Sequence, residues 1–449
     1  MFSFNYFTYS FENPIFIDVV NTSSKIEEIP SYTFENPIFM DVENTSDKLE
    51  KGKILYKFKF INDTKFKKVR DCNILIELIR NNIIEAIELD GYLMNSIYYF
   101  FNEKNFNEYK LIFETLKQNT SIKSVYIKSC ISKYNDNMKL IRPIAKVLKV
   151  NNTITKLELS SCSISDEGIK LITDSLIENF TLTKLKLKNI SLMTEESIKY
   201  INELMKVNYT ITELNLSLNK INNKGAEYIA DILLTYPSLL KLNLKSTLLN
   251  CDAVKMIISA IKQNPTLTSL NLSDNSFYNG IQEGIMYISD LLKVNSTITK
   301  LNLEYGEINV NGAKFIANAL TVNSTLTSLN LSANNIKDEG LAYISNALKT
   351  NSTLTSLNLK TNLIQETGLY NLSSALRQNS SIEFLNLSYN MINFYGLNYI
   401  TELLINNSSL THINLKRNDF NKNKIYTYKI EETFINILKQ NSTLTSLVL

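Results

Sequence analysis

One histidine, His412, stands in the 449 residues, and no cysteine or serine–aspartate arrangement lies near it. A lone general base with no nucleophile beside it supports neither acyl transfer nor hydrolysis. The four cysteines, Cys72, Cys130, Cys162 and Cys251, make no C-x-x-C pair and no pairing with histidine. Their spacing points to structural thiols rather than to a metal or redox centre. Carboxylates such as Asp166 and Glu339 recur at the starts of helical segments, where negative charge favours the helix dipole. The glycines fall at the same places and form no phosphate-binding loop. No catalytic residue, cofactor or metal is expected. The chemistry left to this chain is recognition. Lys184, Lys186 and Lys188, for instance, alternate along one stretch and so share a face if that stretch is a strand.

A second recognition signal lies near the N-terminus. Phe11-Glu-Asn13-Pro14-Ile-Phe16 returns as Phe34-Glu-Asn36-Pro37-Ile-Phe39, each copy followed by Asp-Val and then Asn-Thr-Ser, at a period of 23. Residues 1–52 hold nine acidic residues against three lysines, a net charge of −6. The pattern F-x-N-P-x-F is similar to the peptides bound by phosphotyrosine-binding-type domains. In those peptides Asn-Pro makes a tight turn and an aromatic fills a pocket. Phenylalanine in place of tyrosine would remove control by phosphorylation. The structural alternative is a duplicated strand–turn unit that docks on the rest of the chain. Residues 1–52 are read as a separate, mobile acidic arm.

Residues 53–82 reverse that charge, with eight Lys or Arg against three acids. Ile54 to Ile61 alternates apolar and lysine like a half-buried strand. Asp71 is placed to cap a helix running through Ile79. Together they read as an N-terminal cap on the segment that begins at residue 83.

The elements that must position everything else repeat. Ser324 to Asn351 is succeeded at once by a near copy, Ser352 to Asn379. Leu326, Leu329 and Leu331 are spaced as a short strand burying one face. Leu341, Ile344, Ala347 and Leu348 then recur at helical spacing. Asp338 is expected to cap that helix, and Asn351 to end it in the left-handed conformation. One strand and one helix cannot bury their own apolar faces, so copies must stack. The first apolar position recurs at Ile84, Ile122, Ile154, Leu182, Ile211, Leu239, Leu267, Ile298, Leu326, Leu354, Ile382, Leu410 and Leu444. Seven of the twelve intervals are 28 residues.

This pattern, with glycines at Gly168, Gly225, Gly312, Gly340, Gly368 and Gly396, resembles the ribonuclease-inhibitor-like class of leucine-rich repeats over residues 84–449. The resemblance implies an α/β solenoid of about 12–13 repeats. It would be a horseshoe with a parallel concave sheet and convex outer helices. It also implies that positions 1, 4 and 6 of each strand point inward, while 3, 5, 7 and 8 lie on the concave side. Position 5 is asparagine eight times in succession, from Asn215 to Asn414, and is expected to hydrogen-bond along the stacked strands.

On the concave side the departures from Ser, Thr and Asn are the candidate site. Early repeats carry Lys156, Lys184, Lys186, Lys188, Lys241 and Lys245, opposed mainly by Glu158 and Glu213. Late repeats carry Phe384 beside His412 at position 3, and Tyr389 beside Arg417 at position 8. Aromatics and arginine are the residues enriched at interface hot spots. The lysines would steer an acidic surface, while the four late residues would hold it. The acidic arm, tethered near the lysines, is expected to occlude Lys184, Lys186 and Lys188 loosely and to be released by salt.

Net charge is +3 with 20% charged residues, so nothing demands nucleic acid. No run of 18 apolar residues spans a membrane, and the N-terminal sequence lacks the features of a signal peptide. A cytoplasmic location is expected. The N-x-S/T sequons headed by Asn119, Asn151, Asn179, Asn208, Asn295, Asn323, Asn351, Asn379, Asn407 and Asn441 therefore read as helix ends. Ser442 to Leu449 is a repeat strand with Val448 at position 5 and no helix or cap after it. That edge is expected to be covered by self-association or by a partner. The function expected is a non-catalytic scaffold binding a protein partner. The fold class admits two alternatives, a GTPase activator of the Ran-activator type and the sensor module of an immune-type receptor. No motif here supports carrying over a catalytic residue.

Overall fold

The computed structural model describes residues 17–18, 55–60, 67–69, 72–90, 103–129, 138–275, 281–420 and 427–449. Internal contacts divide the chain into two compact units, 24–307 and 308–449 with 1–23. In chain order the elements begin with β1 (Ile17–Asp18), β2 (Leu55–Phe60), β3 (Lys67–Val69), α1 (Cys72–Arg80), β4 (Ile84–Asp90), α2 (Glu103–Leu116), β5 (Ser124–Lys128), α3 (Met138–Val150) and β6 (Lys156–Cys162). Strand and helix then alternate as α4 (Asp166–Leu176), β7 (Lys184–Ile190), α5 (Glu195–Met205), β8 (Glu213–Asn215), α6 (Asn223–Thr235), β9 (Lys241–Asn243), α7 (Cys251–Ile261), β10 (Ser269–Asn271), α8 (Ile281–Val294) and β11 (Lys300–Asn302). The remaining elements are α9 (Val310–Leu320), β12 (Ser328–Asn330), α10 (Lys337–Leu348), β13 (Ser356–Asn358), α11 (Glu366–Leu376), β14 (Phe384–Asn386), α12 (Gly396–Asn406), β15 (His412–Asn414), α13 (Thr427–Gln440) and β16 (Ser446–Val448).

In the unit 24–307, β4 to β11 pair in sequence order and in parallel. The outer edge of β4 is covered by β2, which runs antiparallel to it and to β3. In the unit 308–449, β12 to β16 are likewise parallel, with Leu329, Leu357, Leu385, Ile413 and Leu447 in register. The outer edge of β16, expected to be covered by self-association or by a partner, is met instead by the chain's own β1. Ile17 pairs antiparallel with Leu447, and Asp18 with Ser446.

Each repeat buries the apolar set that its spacing marks. Leu326, Leu329, Leu331, Leu341, Ile344, Ala347 and Leu348 are all buried. At roughly 1.5–3 kcal/mol for each fully buried large aliphatic side chain, stacked neighbours supply what one repeat lacks. The remaining cohesion comes from buried asparagines rather than from the row expected to provide it. The position-5 amides turn back on their own turns: Asn358 Oδ1 accepts from Lys360 N at 3.0 Å, and Asn386 Oδ1 from Ser388 N at 3.0 Å. They do not form the expected ladder.

Position 9 forms the ladder. Asn362, wholly buried, donates from Nδ2 to Leu331 O at 2.8 Å in the preceding repeat. Its Oδ1 accepts from Asn334 N at 3.0 Å, and its own N–H donates to Asn390 Oδ1 at 2.8 Å. The sequon asparagines make a second buried row. Asn379 donates from Nδ2 to Leu348 O at 2.9 Å and Asn351 O at 2.8 Å, while its Oδ1 accepts from Ile382 N at 3.0 Å. Asn351 is not left-handed; it joins repeats in the same way. Where Tyr236 takes the place of this asparagine, its hydroxyl donates to Ile211 O at 2.7 Å. Burial pushes that phenol up to about 12 against the lowering effect of the hydrogen bond.

Left-handed backbone occurs instead at position 8, in residues that are not glycine. Ser161, Asn189, Leu218, Ser246, Asp274, Tyr305, Ala333, Thr361, Tyr389 and Arg417 have φ between 52° and 62°. Each carries a steric cost on the order of 1 kcal/mol, which the ladder on either side holds in place. Asp338 also departs from expectation. It lies inside α10 and accepts at Oδ1 from Gln365 N, 2.7 Å away, so it serves the start of the next helix. A side chain at Gly368 would place Cβ 2.5 Å from that carboxylate, which explains the glycine by close approach. Asp166 does the same one repeat ahead of α5, accepting from Thr194 Oγ1 at 2.6 Å, Thr194 N at 3.0 Å and Ser197 N at 3.1 Å. Burial raises its carboxyl, but the hydrogen bonds from Ser197 and Thr194 outweigh this and hold it below the usual range.

Candidate interaction surface

The side chains on the solvent side of the sheet come from strand positions 3 and 5, where burial alternates with the inward leucines. Positions 7 and 8 continue the surface through the left-handed turn. No helix among the described residues is long and apolar enough to cross a membrane.

In the unit 24–307 the expected lysines do lie together. Lys156 pairs in register with Lys184, Glu158 with Lys186, and Lys184 with Glu213. They are not a bare positive patch. Glu213 receives Lys186 at 2.8 Å and Lys184 at 3.8 Å, and Lys156 lies 3.4 Å from Glu158. Burial raises the Glu213 carboxyl, but the Lys186 hydrogen bond and the charges of Lys186, Lys184 and Lys241 outweigh it and hold it below its ordinary value. Lys188, Lys241 and Lys245 make no ion pair with a described residue. Sequence reading missed Tyr126 at position 5. Lys156 Nζ donates to its hydroxyl at 3.1 Å and sits 4.2 Å from its ring centroid. Lys128, 2.6 Å from Glu88, lies 5.7 Å from the same ring. The signal was available, because Tyr126 occupies the row from which Glu158 was read.

In the unit 308–449 the structure brings the four late residues together only two by two. Phe384 and His412 are register partners with ring centroids 6.4 Å apart, and Thr411 Oγ1 lies 2.8 Å from His412 Nδ1. Tyr389 donates its N–H to Lys416 O at 2.8 Å, which sets it next to the strand bearing Arg417. Its ring, however, is met from the other side by Lys360, with Nζ 4.7 Å from the centroid. Phe384 and His412 lie at the start of their strands, whereas Tyr389 and Arg417 lie in the left-handed turns beyond the strand ends, so the two couples are distinct contact points. Phe384, Tyr389, His412 and Arg417 are all exposed. Lys360 and Lys416 at position 7 were not singled out in the late repeats, although the same position supplied Lys188 and Lys245 in the early ones.

Cys72 and Cys162 are buried and form no disulfide, and Cys162 Sγ contacts Ser160 O at 3.4 Å, in keeping with a turn-satisfying role. Burial, then Glu283 and Asp252, push the Cys251 thiol up, which makes it a poor nucleophile. Cys130 lies outside the described residues. So do Phe11, Asn13, Pro14, Phe16, Phe34, Asn36, Pro37 and Phe39.

The leucine-rich repeat family model matches residues 150–172, 207–230, 263–277, 294–317 and 322–345. No curated protein matches the chain. Among solved structures, the chain is similar to the leucine-rich repeat-containing protein LegL7 from Legionella pneumophila, at 17% identity over 65% of this chain and 93% of that one, with a TM-score of 0.42. It is also similar to a chain of the yeast Rad7–Elc1 complex, at 14% identity over 69% of this chain and 66% of that one, with a TM-score of 0.41. A third is leiomodin-1 actin-binding site 2, at 23% identity over 34% of this chain and 86% of that one, with a TM-score of 0.29. Scores of this size add nothing to the assignment, which rests on the matched segments and the observed repeat. This is a leucine-rich repeat protein, built as an α/β solenoid.

Proposed function

We propose that the protein is a non-catalytic scaffold, of the ribonuclease-inhibitor-like class, that binds a protein partner on the solvent face of its sheet. The observation that carries this reading is local. Over a late surface made mostly of serine, threonine and asparagine, with Lys360 and Lys416 among them, Phe384, His412, Tyr389 and Arg417 present exposed rings and a guanidinium, the side chains that dominate interface energetics. The lysines Lys184, Lys186, Lys188, Lys241 and Lys245 steer a partner with acidic surface rather than hold it, since two of them already share Glu213. The reading places the protein in the cytoplasm. The sequons do not argue against that, because their amides are spent on backbone carbonyls in the core. The GTPase-activator and receptor-sensor alternatives gain no support from the comparisons.

Photo-crosslinking probes at positions 384 and 417, set against one at Tyr370 on the helix side, test this reading on the full chain. Both sheet-face probes are expected to capture the same protein, and residues 1–52 alone are expected not to. Capture from position 370 only would put the interface on the helices.

A further inference from the structure

β16 is the outermost parallel strand of its unit, and an outer strand presents a row of unpaired backbone donors and acceptors. Its inner edge is used by β15, with Leu415 N donating to Val448 O at 2.7 Å. Its outer edge takes Ile17 and Asp18 in antiparallel register. Two observations make this more than a chance end-stop. The first is the sequence that supplies β1. Pro14-Ile15-Phe16-Ile17-Asp18-Val19 is repeated as Pro37-Ile38-Phe39-Met40-Asp41-Val42, so the pairing dipeptide Ile-Asp has a second version, Met-Asp, 23 residues on. The swap of isoleucine for methionine is the sole change in that hexapeptide, and main-chain pairing does not distinguish the two. The second is where the register falls. Phe384, His412 and Ser446 occupy one row across β14, β15 and β16, and Asp18 takes the next place in it. The arm therefore brings an acidic residue to the same sheet row as the proposed contact residues.

We propose that the outer edge of β16 is a strand-accepting site for a Phe-(Ile/Met)-Asp-Val segment. Its occupant is the first copy of the chain's own N-terminal duplication, and the second copy is an equivalent ligand. Main-chain hydrogen bonds supply the pairing, as in other cases where an extended peptide adds to a sheet edge. Covalent tethering within one chain raises the effective concentration of both copies and favours them over a second molecule.

Disulfide trapping in the full-length protein decides it. Antiparallel partners have Cα atoms about 4.5–5.5 Å apart, within the span of a disulfide. The double variant Asp18→Cys/Ser446→Cys is expected to form an intramolecular bridge, identified by peptide mapping, in more than half of a monomeric sample. Asp18→Cys/Asn414→Cys, one strand further in, is expected to form at least tenfold less. Equal yields, no bridge, or a bridge found only between molecules would overturn occupancy by the chain's own arm. In a background carrying Ile17→Pro, which breaks the first copy as a strand, Asp41→Cys/Ser446→Cys is expected to bridge in place of the first pair. Failure of that bridge would overturn the equivalence of the second copy.

Discussion

The sheet face of the early repeats and that of the late repeats share one backbone and the same rows, and differ in how far their charges are answered within the chain. Around β6 to β8 most cations meet acids or a phenol within ion-pair or hydrogen-bonding distance: Lys186 and Lys184 at Glu213, Lys156 at Glu158 and Tyr126, with Lys188 the exception among the described residues. Around β13 to β15, Lys360 meets only the Tyr389 ring among the described residues, and Phe384 packs against His412. A cluster that satisfies itself gains little from a partner, because desolvating it breaks existing pairs. Exposed rings and unanswered cations lose little and gain more. A count of lysines would rank the two surfaces in the opposite order.

The largest effect should come from beneath both faces and be equal in both. Asn362→Ala strips Asn334 N and Leu331 O of buried partners, and Asn275→Ala does the same to Thr247 N and Leu244 O. Each should cost about 3 kcal/mol in urea unfolding. If open-face changes cost as much, the division between a structural interior and a recognition face breaks down. Next, Tyr389→Ala and Arg417→Ala should each weaken partner binding by about 2 kcal/mol with unchanged unfolding midpoints, whereas Lys186→Ala should mainly slow association at low salt. A titration of binding against salt separates them.

A smaller effect concerns acid. Glu213 is held below its ordinary value, so its contribution is present above the ordinary carboxylate range and is lost as pH falls through the folded value beneath it. The urea midpoint should fall with pH there, and less so in Glu213→Gln. The difference should be at most about 1 kcal/mol, since the site is partly solvated. The same substitution should leave partner binding at the late face unchanged. Smallest of all, Thr361→Asn and Leu218→Asn relieve left-handed backbone at position 8 of the late and early units. Each should raise stability by about 0.5 kcal/mol in thermal melts. Unequal gains would mean that the two backbones are not held alike.

The period of the leucines made the fold legible. Ile84, the first of the recurring apolar positions, opens β4, and the helix expected through Leu341, Ile344, Ala347 and Leu348 is α10. What the sequence concealed is what bonds across a repeat. Asn358 and Asn362 are the same residue four places apart, yet one bonds its own turn and the other bonds its neighbours. Only the depth of each in the stack tells them apart. Asp338 looks like a cap for its own helix because the next helix start, 27 residues on at Gln365, is invisible to local reading. The couple Phe384–His412 follows from row arithmetic, whereas the same arithmetic set Tyr389 beside Arg417 and its ring instead meets Lys360 from the neighbouring row. The pairing of β1 with β16 joins opposite ends of the chain, and no periodicity predicts it.

The buried asparagines also determine how such a chain can change length. Asn351 bonds back to Leu320 and Asn323, and Asn379 bonds back in the same way to Leu348 and Asn351. Excising Ser324–Asn351 would join Asn323 to Ser352 and present Asn379 with the same carbonyls one copy earlier. Removing half that length would break those bonds at the junction, where one shortened copy could not present its asparagine to the carbonyls of its neighbour. Gain and loss of sequence in this gene should therefore proceed in whole copies. The number of copies, rather than their internal design, is then the quantity free to vary between related chains.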